Sequence, residues 1–216
     1  MCSLKPINDM KIDRSILEYL ASRDNDLAFL ISIYPNPSFP NSNNIYQDIV
    51  ETIIGQMLSK KAADTIANRV KEKLGSSTFD AMKLKQASRE ELRACGLSYA
   101  KTDNLIQLAL DVSQDKISFS HLDELADEEV LRYLMNIKGV GPWTSEMIAL
   151  FSLGRQNIFS YLDVALKNGI MKAKGYKTIS QTRFEQLRKK YNPYGSIASL
   201  YFYHCNDDPS FLRFTK

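Results

Sequence analysis

The 216-residue chain is 44% hydrophobic and 25% charged, apolar enough to bury a core and too apolar for a disordered chain. Its nine Gly and seven Pro exclude collagen-like and low-complexity architectures. The net charge is only +3, but it is unevenly placed: residues 160–216 carry ten Lys and Arg against four Asp and Glu, whereas residues 1–159 carry 18 against 21. A basic C-terminal third on a near-neutral body suits one-sided contact with a polyanion.

Ile12, Ile16, Leu17 and Leu20 recur at helical spacing, followed by Leu27, Leu30 and Ile31, which predicts helices at the N-terminus. The segment from Pro35 to Asn44 holds three Pro and four Asn and reads as a break between lobes. Ile45, Ile49, Ile53 and Ile54 open a new amphipathic helix. Gly55-Gln56-Met57-Leu58-Ser59 interrupts it before Ala62, Ile66 and Val70, and Gly75 stands where a left-handed helix end is expected. Ser88-Arg89-Glu90-Glu91 has the form of a helix N-terminus. That short helix ends at Gly96, and Leu105, Leu108 and Ala109 mark the next. Asp127 is the expected cap of a helix carrying Val130, Leu131 and Leu134, and Thr144–Leu153 is expected to be helical again. No hairpin of strands is indicated. The fold class is all-α.

Cys2, Cys95 and Cys205 lie far apart and form neither a disulfide framework nor a metal-ligand spacing. With only His121 and His204 as histidines, no zinc site is expected, and no cofactor. Neither a signal peptide nor an apolar run of about 18 residues occurs. The expectation is a soluble intracellular protein, nuclear in a eukaryote or cytoplasmic in a bacterium, without membrane contact.

The most informative stretch is Leu134-Met135-Asn136-Ile137-Lys138-Gly139-Val140-Gly141-Pro142-Trp143-Thr144. Two glycines one residue apart permit a sharp turn and close backbone approach. Pro142 suits the first position of a helix. Amides of such a turn, aimed outward at a helix N-terminus, make a phosphate site from backbone alone. A plain helix–helix turn is the bland alternative. A dinucleotide fingerprint is excluded, because a helix precedes the turn and no third Gly comes after it.

Together with its surroundings the run resembles the helix-hairpin-helix of the DNA glycosylase superfamily, at about residues 127–153. Upstream, Gly55-Gln56-Met57-Leu58-Ser59-Lys60-Lys61-Ala62-Ala63 resembles the GQQ-L-S-x-K-A-A element of its alkylbase (3-methyladenine) branch, of bacterial type II and yeast kind. Cys95-Gly96-Leu97-Ser98 with Lys101 resembles that branch's GLS-x-x-K, Asp163-Val164-Ala165-Leu166 its catalytic segment, and Tyr191-Asn192-Pro193-Tyr194 its W-x-P-[WY].

The resemblance implies two helical subdomains flanking a DNA cleft, one at 45–158 and the other built from 1–44 and 159–216. It implies a monofunctional enzyme that flips alkylated purines out of duplex DNA and hydrolyses the glycosidic bond. The position where lyase relatives carry a Lys holds Trp143, which has no nucleophile. Asp163 is the implied catalytic carboxylate, placed to stabilise positive charge developing on the sugar; its bland alternative is a helix cap. Trp143, Tyr46 and Phe159 are the implied walls of the base pocket, although aromatics of this kind serve more often as core. Gly139, Val140, Gly141 and Thr144 are the implied phosphate contacts. Gln56, Leu58, Ser59, Lys60 and Lys61 would touch DNA around Met57, the implied minor-groove wedge. The implied partner is double-stranded DNA with a damaged or abasic nucleotide, bound by a monomer. No metal is required, with a monovalent cation at the hairpin carbonyls of 137–142 as an option by family analogy.

Departures from the family pattern cluster near the implied pocket. Ser160 and Leu162 replace a Pro and an acid ahead of Asp163, Met57 replaces the second Gln of GQQ, Gly195 stands where Arg is usual, and Tyr203 replaces a closing Trp. Two alternatives therefore stay open: a catalytically silent paralogue that binds abasic or damaged DNA, and a helical adaptor whose hairpin contacts protein.

Overall fold

The computed structural model describes residues 12–37 and 44–211. Cys2 and the middle of the turn-rich segment, residues 38–43, lie outside them. Among the described residues there are α-helices and one 3-10 turn at Leu122–Glu124, with no strand. In chain order the helices are α1 (Arg14–Arg23), α2 (Asn25–Ile33), α3 (Ile45–Gly55), α4 (Lys60–Lys73), α5 (Ala81–Leu84), α6 (Arg89–Ala94), α7 (Tyr99–Ser113), α8 (Asp127–Met135), α9 (Pro142–Phe151), α10 (Val164–Lys174), α11 (Gln181–Tyr191) and α12 (Gly195–Asp207). The chain divides into two compact units, 42–148 and 1–41 with 149–216. The second edge falls inside α9, earlier than the 158 drawn from sequence. Arg155 N–H returns to the Ala149 carbonyl at 2.9 Å, so the last turn of α9 folds with the segment C-terminal to it.

In the unit 42–148, helix starts obey side-chain chemistry. Asn44 accepts from Gln47 N–H to cap α3, and Ser59 and Ser98 cap α4 and α7. Ser88 and Glu91 form a reciprocal capping box on α6, which satisfies two otherwise orphaned donors. The isoleucine stripe of α3, Ile49, Ile53 and Ile54, is wholly buried, and α3 packs on α4 and α7. Gly96 has φ +107°, and a Cβ there would lie 3.1 Å from Ile66 Cγ1. The turn into α7 thus passes closely over α4. Asp127 is not the cap expected of it: Ala126 holds that position and Asp127 is the first helical residue. The Glu129 carboxylate accepts from Ala126 N–H at 3.0 Å, so a long acidic side chain satisfies a donor at the helix start in place of a cap residue.

The other unit combines, among the described residues, the N-terminal stretch 12–37 with 149–211. Here α10 packs on α12 at Gly169, where a Cβ would lie 2.0 Å from the Phe202 carbonyl oxygen; no side chain fits that crossing. Phe159, Phe184, Tyr191 and Phe202 form its aromatic core. Beside them is a buried polar hub. Asp24, 4% exposed, caps α2 through Asp26 and Leu27 N–H. It also accepts from the Lys174 ammonium at 2.7 and 2.8 Å, from Lys190 at 2.9 Å and from the Tyr191 hydroxyl at 2.8 Å. Burial alone would raise the Asp24 pKa, but hydrogen bonds from Lys174, Lys190 and Tyr191 and the Lys174 charge hold it well below the usual carboxylate range.

Candidate functional site

In the unit 42–148, α3 ends at Gly55 and the chain turns sharply before Ser59 starts α4. Leu58 N–H closes the turn on the Gly55 carbonyl at 3.0 Å. Met57, at its tip, has φ +59° and is 101% exposed. A left-handed conformation at a non-glycine residue costs of order 1–2 kcal/mol, and full exposure of an unbranched apolar side chain returns nothing in packing. Something else fixes the turn. The Lys101 ammonium, on the first turn of α7, donates to the Ile54 carbonyl at 2.8 Å and to the Gln56 carbonyl at 2.7 Å. Desolvation at this position lowers the Lys101 pKa.

The same turn is tied to the glycine hairpin. The Gln56 side-chain amide donates to the Gly139 carbonyl at 2.9 Å and to Thr144 Oγ1 at 3.2 Å. Gln56 therefore holds one loop to the other, where the resemblance implied a DNA contact. In the hairpin, Gly139 has φ +90°, and a Cβ there would lie 2.3 Å from Asn104 Nδ2. A Cβ on Gly141 would meet nothing within 4 Å; that glycine keeps the approach from solvent open. Pro142 begins α9 as expected.

Two implied phosphate contacts sit differently from expectation. Val140 and Thr144 are each 5% exposed. Val140 N–H donates to the Ile137 carbonyl at 3.0 Å, because closing so tight a turn needs that internal bond. The exposed part of the hairpin is Lys138, Gly139, Gly141 and Pro142. The Ile137 carbonyl accepts from Val140 N–H and the Gly139 carbonyl from the Gln56 side chain. Among the described residues no group of three or more His, Cys, Asp or Glu is arranged to hold a metal ion.

Around Met57 the surface is mixed. Leu58 is 41% exposed. Ser59 Oγ accepts from Ala62 N–H as the cap of α4. Lys60 and Lys61 are exposed in the first turn of that helix, which contains no acidic residue. Cations there oppose the helix dipole, an arrangement that an external anion would relieve.

In the other unit, Asp163 caps α10, accepting from Leu166 N–H at 2.7 Å, and is 5% exposed. The carboxylate lies where backbone N–H groups and the dipole of α10 favour a negative charge. Of the aromatics implied for the pocket, Trp143 is 39% exposed on the first turn of α9. Phe159 is core: it is 3% exposed and stacks on Phe184 at 4.7 Å. Tyr46 is also core, 8% exposed, its phenol pKa raised by burial and by the Asp80 charge.

A cavity of about 660 Å³ opens in the unit that holds Asp163, lined by Phe151, Ala165, Leu200, Tyr203 and Tyr34 among others. Phe151 and Tyr203 face each other there with ring centroids 6.0 Å apart, and Ala165 belongs to the first turn of α10, next to the Asp163 cap. The sequence carried a signal for Tyr203, as the replacement for a closing Trp, and for Phe151 as a member of the α9 stripe. Helical periodicity did not distinguish either from core.

The profile of the "HhH-GPD superfamily base excision DNA repair protein" family matches residues 50–193. The alkylbase DNA glycosidase-like protein mag2 of Schizosaccharomyces pombe is 31% identical over 192 residues, covering 86% of this chain and 90% of that protein. DNA-3-methyladenine glycosylase 1 of the same yeast is 32% identical over 146 residues, covering 66% of this chain and 64% of its own. A Bacillus subtilis relative is 28% identical, and the chain spans 58% of its length. Among solved structures, a Bacillus halodurans DNA-3-methyladenine glycosidase superposes with TM-score 0.81 at 30% identity, over 90% of both chains. S. pombe 3-methyladenine DNA glycosylase Mag1 in complex with abasic DNA superposes with TM-score 0.78 at 25% identity, over 92% of this chain and 100% of that one. With its all-helical fold, its glycine hairpin and two thirds of its length within the family profile, this chain belongs to the HhH-GPD superfamily of base excision DNA repair proteins.

Proposed function

We propose that the protein is a monofunctional DNA glycosylase that binds duplex DNA and releases alkylated purines such as 3-methyladenine and 7-methylguanine. The observation that carries the reading is Met57: an exposed apolar side chain in a left-handed turn, braced by Lys101 and tied through Gln56 to a hairpin open at Gly141. That surface suits insertion into a base step while backbone amides and Lys60, Lys61 and Lys138 meet phosphates. The names of the yeast and Bacillus relatives, and the abasic DNA bound by one of them, support the substrate class.

Loss of a flipped base places positive charge on the sugar, which the Asp163 carboxylate would stabilise. Water is the acceptor in this reading, because Trp143 offers no amine for a Schiff base. An alkylated purine is already cationic and leaves readily, so recognition rests on stacking against π-faces. In the unit that holds Asp163, Phe151 and Tyr203 supply such faces; Tyr46 and Phe159 are withdrawn from that role by their burial.

One observation favours a second reading, a silent binder of abasic sites. Asp163 is nearly covered, one of its oxygens caps α10, and the acid expected before it is the exposed Leu162. Base release from methylated duplex DNA decides between the two. Asp163→Asn keeps a cap-forming side chain and is expected to lower release about a hundredfold or more, with binding to an abasic duplex unchanged. If the wild type releases nothing yet prefers an abasic duplex to an intact one, the silent reading replaces the enzymatic one. Equal affinity for both duplexes, without release, removes both.

A further inference from the structure

The GLS-x-x-K segment takes no part in the chemistry above, yet its geometry is specific. Gly96 lets the chain pass over Ile66, Leu97 is buried, and Ser98 caps α7. Together they fix where α7 begins, and with it the origin of the Lys101 side chain. From there the ammonium reaches across to carbonyls of Ile54 and Gln56. These carbonyls lie at the C-terminal end of α3, where backbone oxygens lose their helical partners and the helix dipole is negative. A lysine suits the place: a compact charge with several donors on a flexible stem.

We propose that Lys101 is a positioning residue for the wedge: its ammonium, clamping the Ile54 and Gln56 carbonyls, holds Met57 in its exposed left-handed turn so that the side chain enters DNA already ordered. The inference deepens the reading of Met57 as a wedge and rests on it. Without the clamp the turn keeps the bond from Leu58 N–H to the Gly55 carbonyl, that from Gln56 N–H to the Thr52 carbonyl and the Gln56 side-chain tie to Gly139, none of which holds the Gln56 carbonyl against the strain at Met57. It would then relax towards ordinary φ, and the wedge would have to be ordered at the expense of binding. Because Gln56 carries both a clamped carbonyl and the amide that holds Gly139, the clamp also sets the loop against the hairpin.

The test has two arms, both on the full chain. In the free protein, hydrogen exchange of the amides of 56–59 is compared between wild type and Lys101→Met, with Lys101→Gln as a second variant should the first fail to fold. Exchange is expected to quicken about tenfold in this segment alone, as loss of charge-assisted hydrogen bonds predicts. Unchanged exchange overturns the clamp whatever the protein does with DNA.

In the second arm, affinities for a duplex with a tetrahydrofuran abasic analogue and for the same intact duplex are measured for wild type, Lys101→Met, Met57→Ala and the double variant. Lys101→Met is expected to reduce the preference for the abasic duplex about tenfold while affinity for the intact one is retained, and to add nothing to Met57→Ala. A purely structural role would lower both affinities together. Full additivity with Met57→Ala, or an undiminished preference, overturns the positioning role. Quickened exchange in Lys101→Met, together with a wild type that shows no abasic preference at all, means that the wedge reading has failed and takes the positioning role with it, while the clamp itself stands.

Discussion

The two units each contain a lysine in an unusual place, and the contrast between them separates stability from function. Lys174 is 5% exposed and meets a full carboxylate, Asp24, which also draws in Lys190 and Tyr191. Lys101 is half-buried and meets only backbone carbonyls of a turn whose tip is bare. The buried pair of Lys174 and Asp24 tolerates the loss of neither partner, because either deletion leaves the other charge in low dielectric without its main partner. A cation on carbonyls at the surface can be removed and water will take its place. The first device ties α2 to α10 and α11 across the two ends of the chain; the second shapes one loop.

The largest expected effect is therefore at Asp24. Asp24→Ala takes from the buried Lys174 its bidentate carboxylate partner and removes the cap of α2; it is expected to cost about 3–5 kcal/mol, measured by urea unfolding. Asp24→Asn restores the cap alone and is expected to recover about 1 kcal/mol of that. The cluster also fixes a pH dependence. The folded pKa of Asp24 is depressed below its unfolded value, so its contribution is complete above the ordinary carboxylate range and is lost as pH falls through about 4 towards the depressed folded value. Acid unfolding of the wild type should show this loss and Asp24→Asn should not. A parallel acid profile in the two would mean that the hub is not coupled to folding.

Met57 gives an intermediate effect of opposite sign. Met57→Gly relieves a left-handed residue that contributes no packing, and a gain of about 1 kcal/mol in stability is expected. In the same variant the preference for an abasic duplex should fall, since the wedge is gone. A loss of stability instead would show that Met57 is held by contacts of its own, and the contrast between the two units would weaken.

The fold was largely legible from the sequence because its signals are local. Isoleucine periodicity marked α3, and Ser88 with its acidic first turn marked α6, whereas the caps Ser59 and Ser98 of α4 and α7 went unread. The Gly-x-Gly-Pro run marked the start of α9. Asp127 misled by one residue, since an acid in a first turn and an acid at a cap look alike in sequence. Asp163 was legible as a helix cap, and the structure places it as the cap of α10. What was illegible depends on distant pairs: Asp24 with Lys174, Gln56 with Gly139, and Lys101 with Ile54 are each formed by residues 45 or more positions apart or by backbone groups that no side-chain pattern reports. Phe159 and Tyr46 show the same limit from the other side, for an aromatic at helical spacing carries no mark of whether its face meets a core or a cavity.

The smallest effect concerns Lys60, and it is the one that best separates the two kinds of lysine from a third, exposed kind. Lys60 begins α4 with its charge against the helix dipole, so Lys60→Glu is expected to raise stability by about 0.3–1 kcal/mol. If the residue meets a phosphate, the same change weakens DNA binding evenly across sequences and lowers the slope of log affinity against log salt by about one unit. Stability gained and salt slope lost in one variant would mean that an anion outside the chain accounts for this lysine, as Asp24 accounts for Lys174 and carbonyls for Lys101. A salt slope identical to wild type would leave Lys60 as an ordinary solvated residue, and the phosphate contact would pass to Lys138 and the hairpin alone.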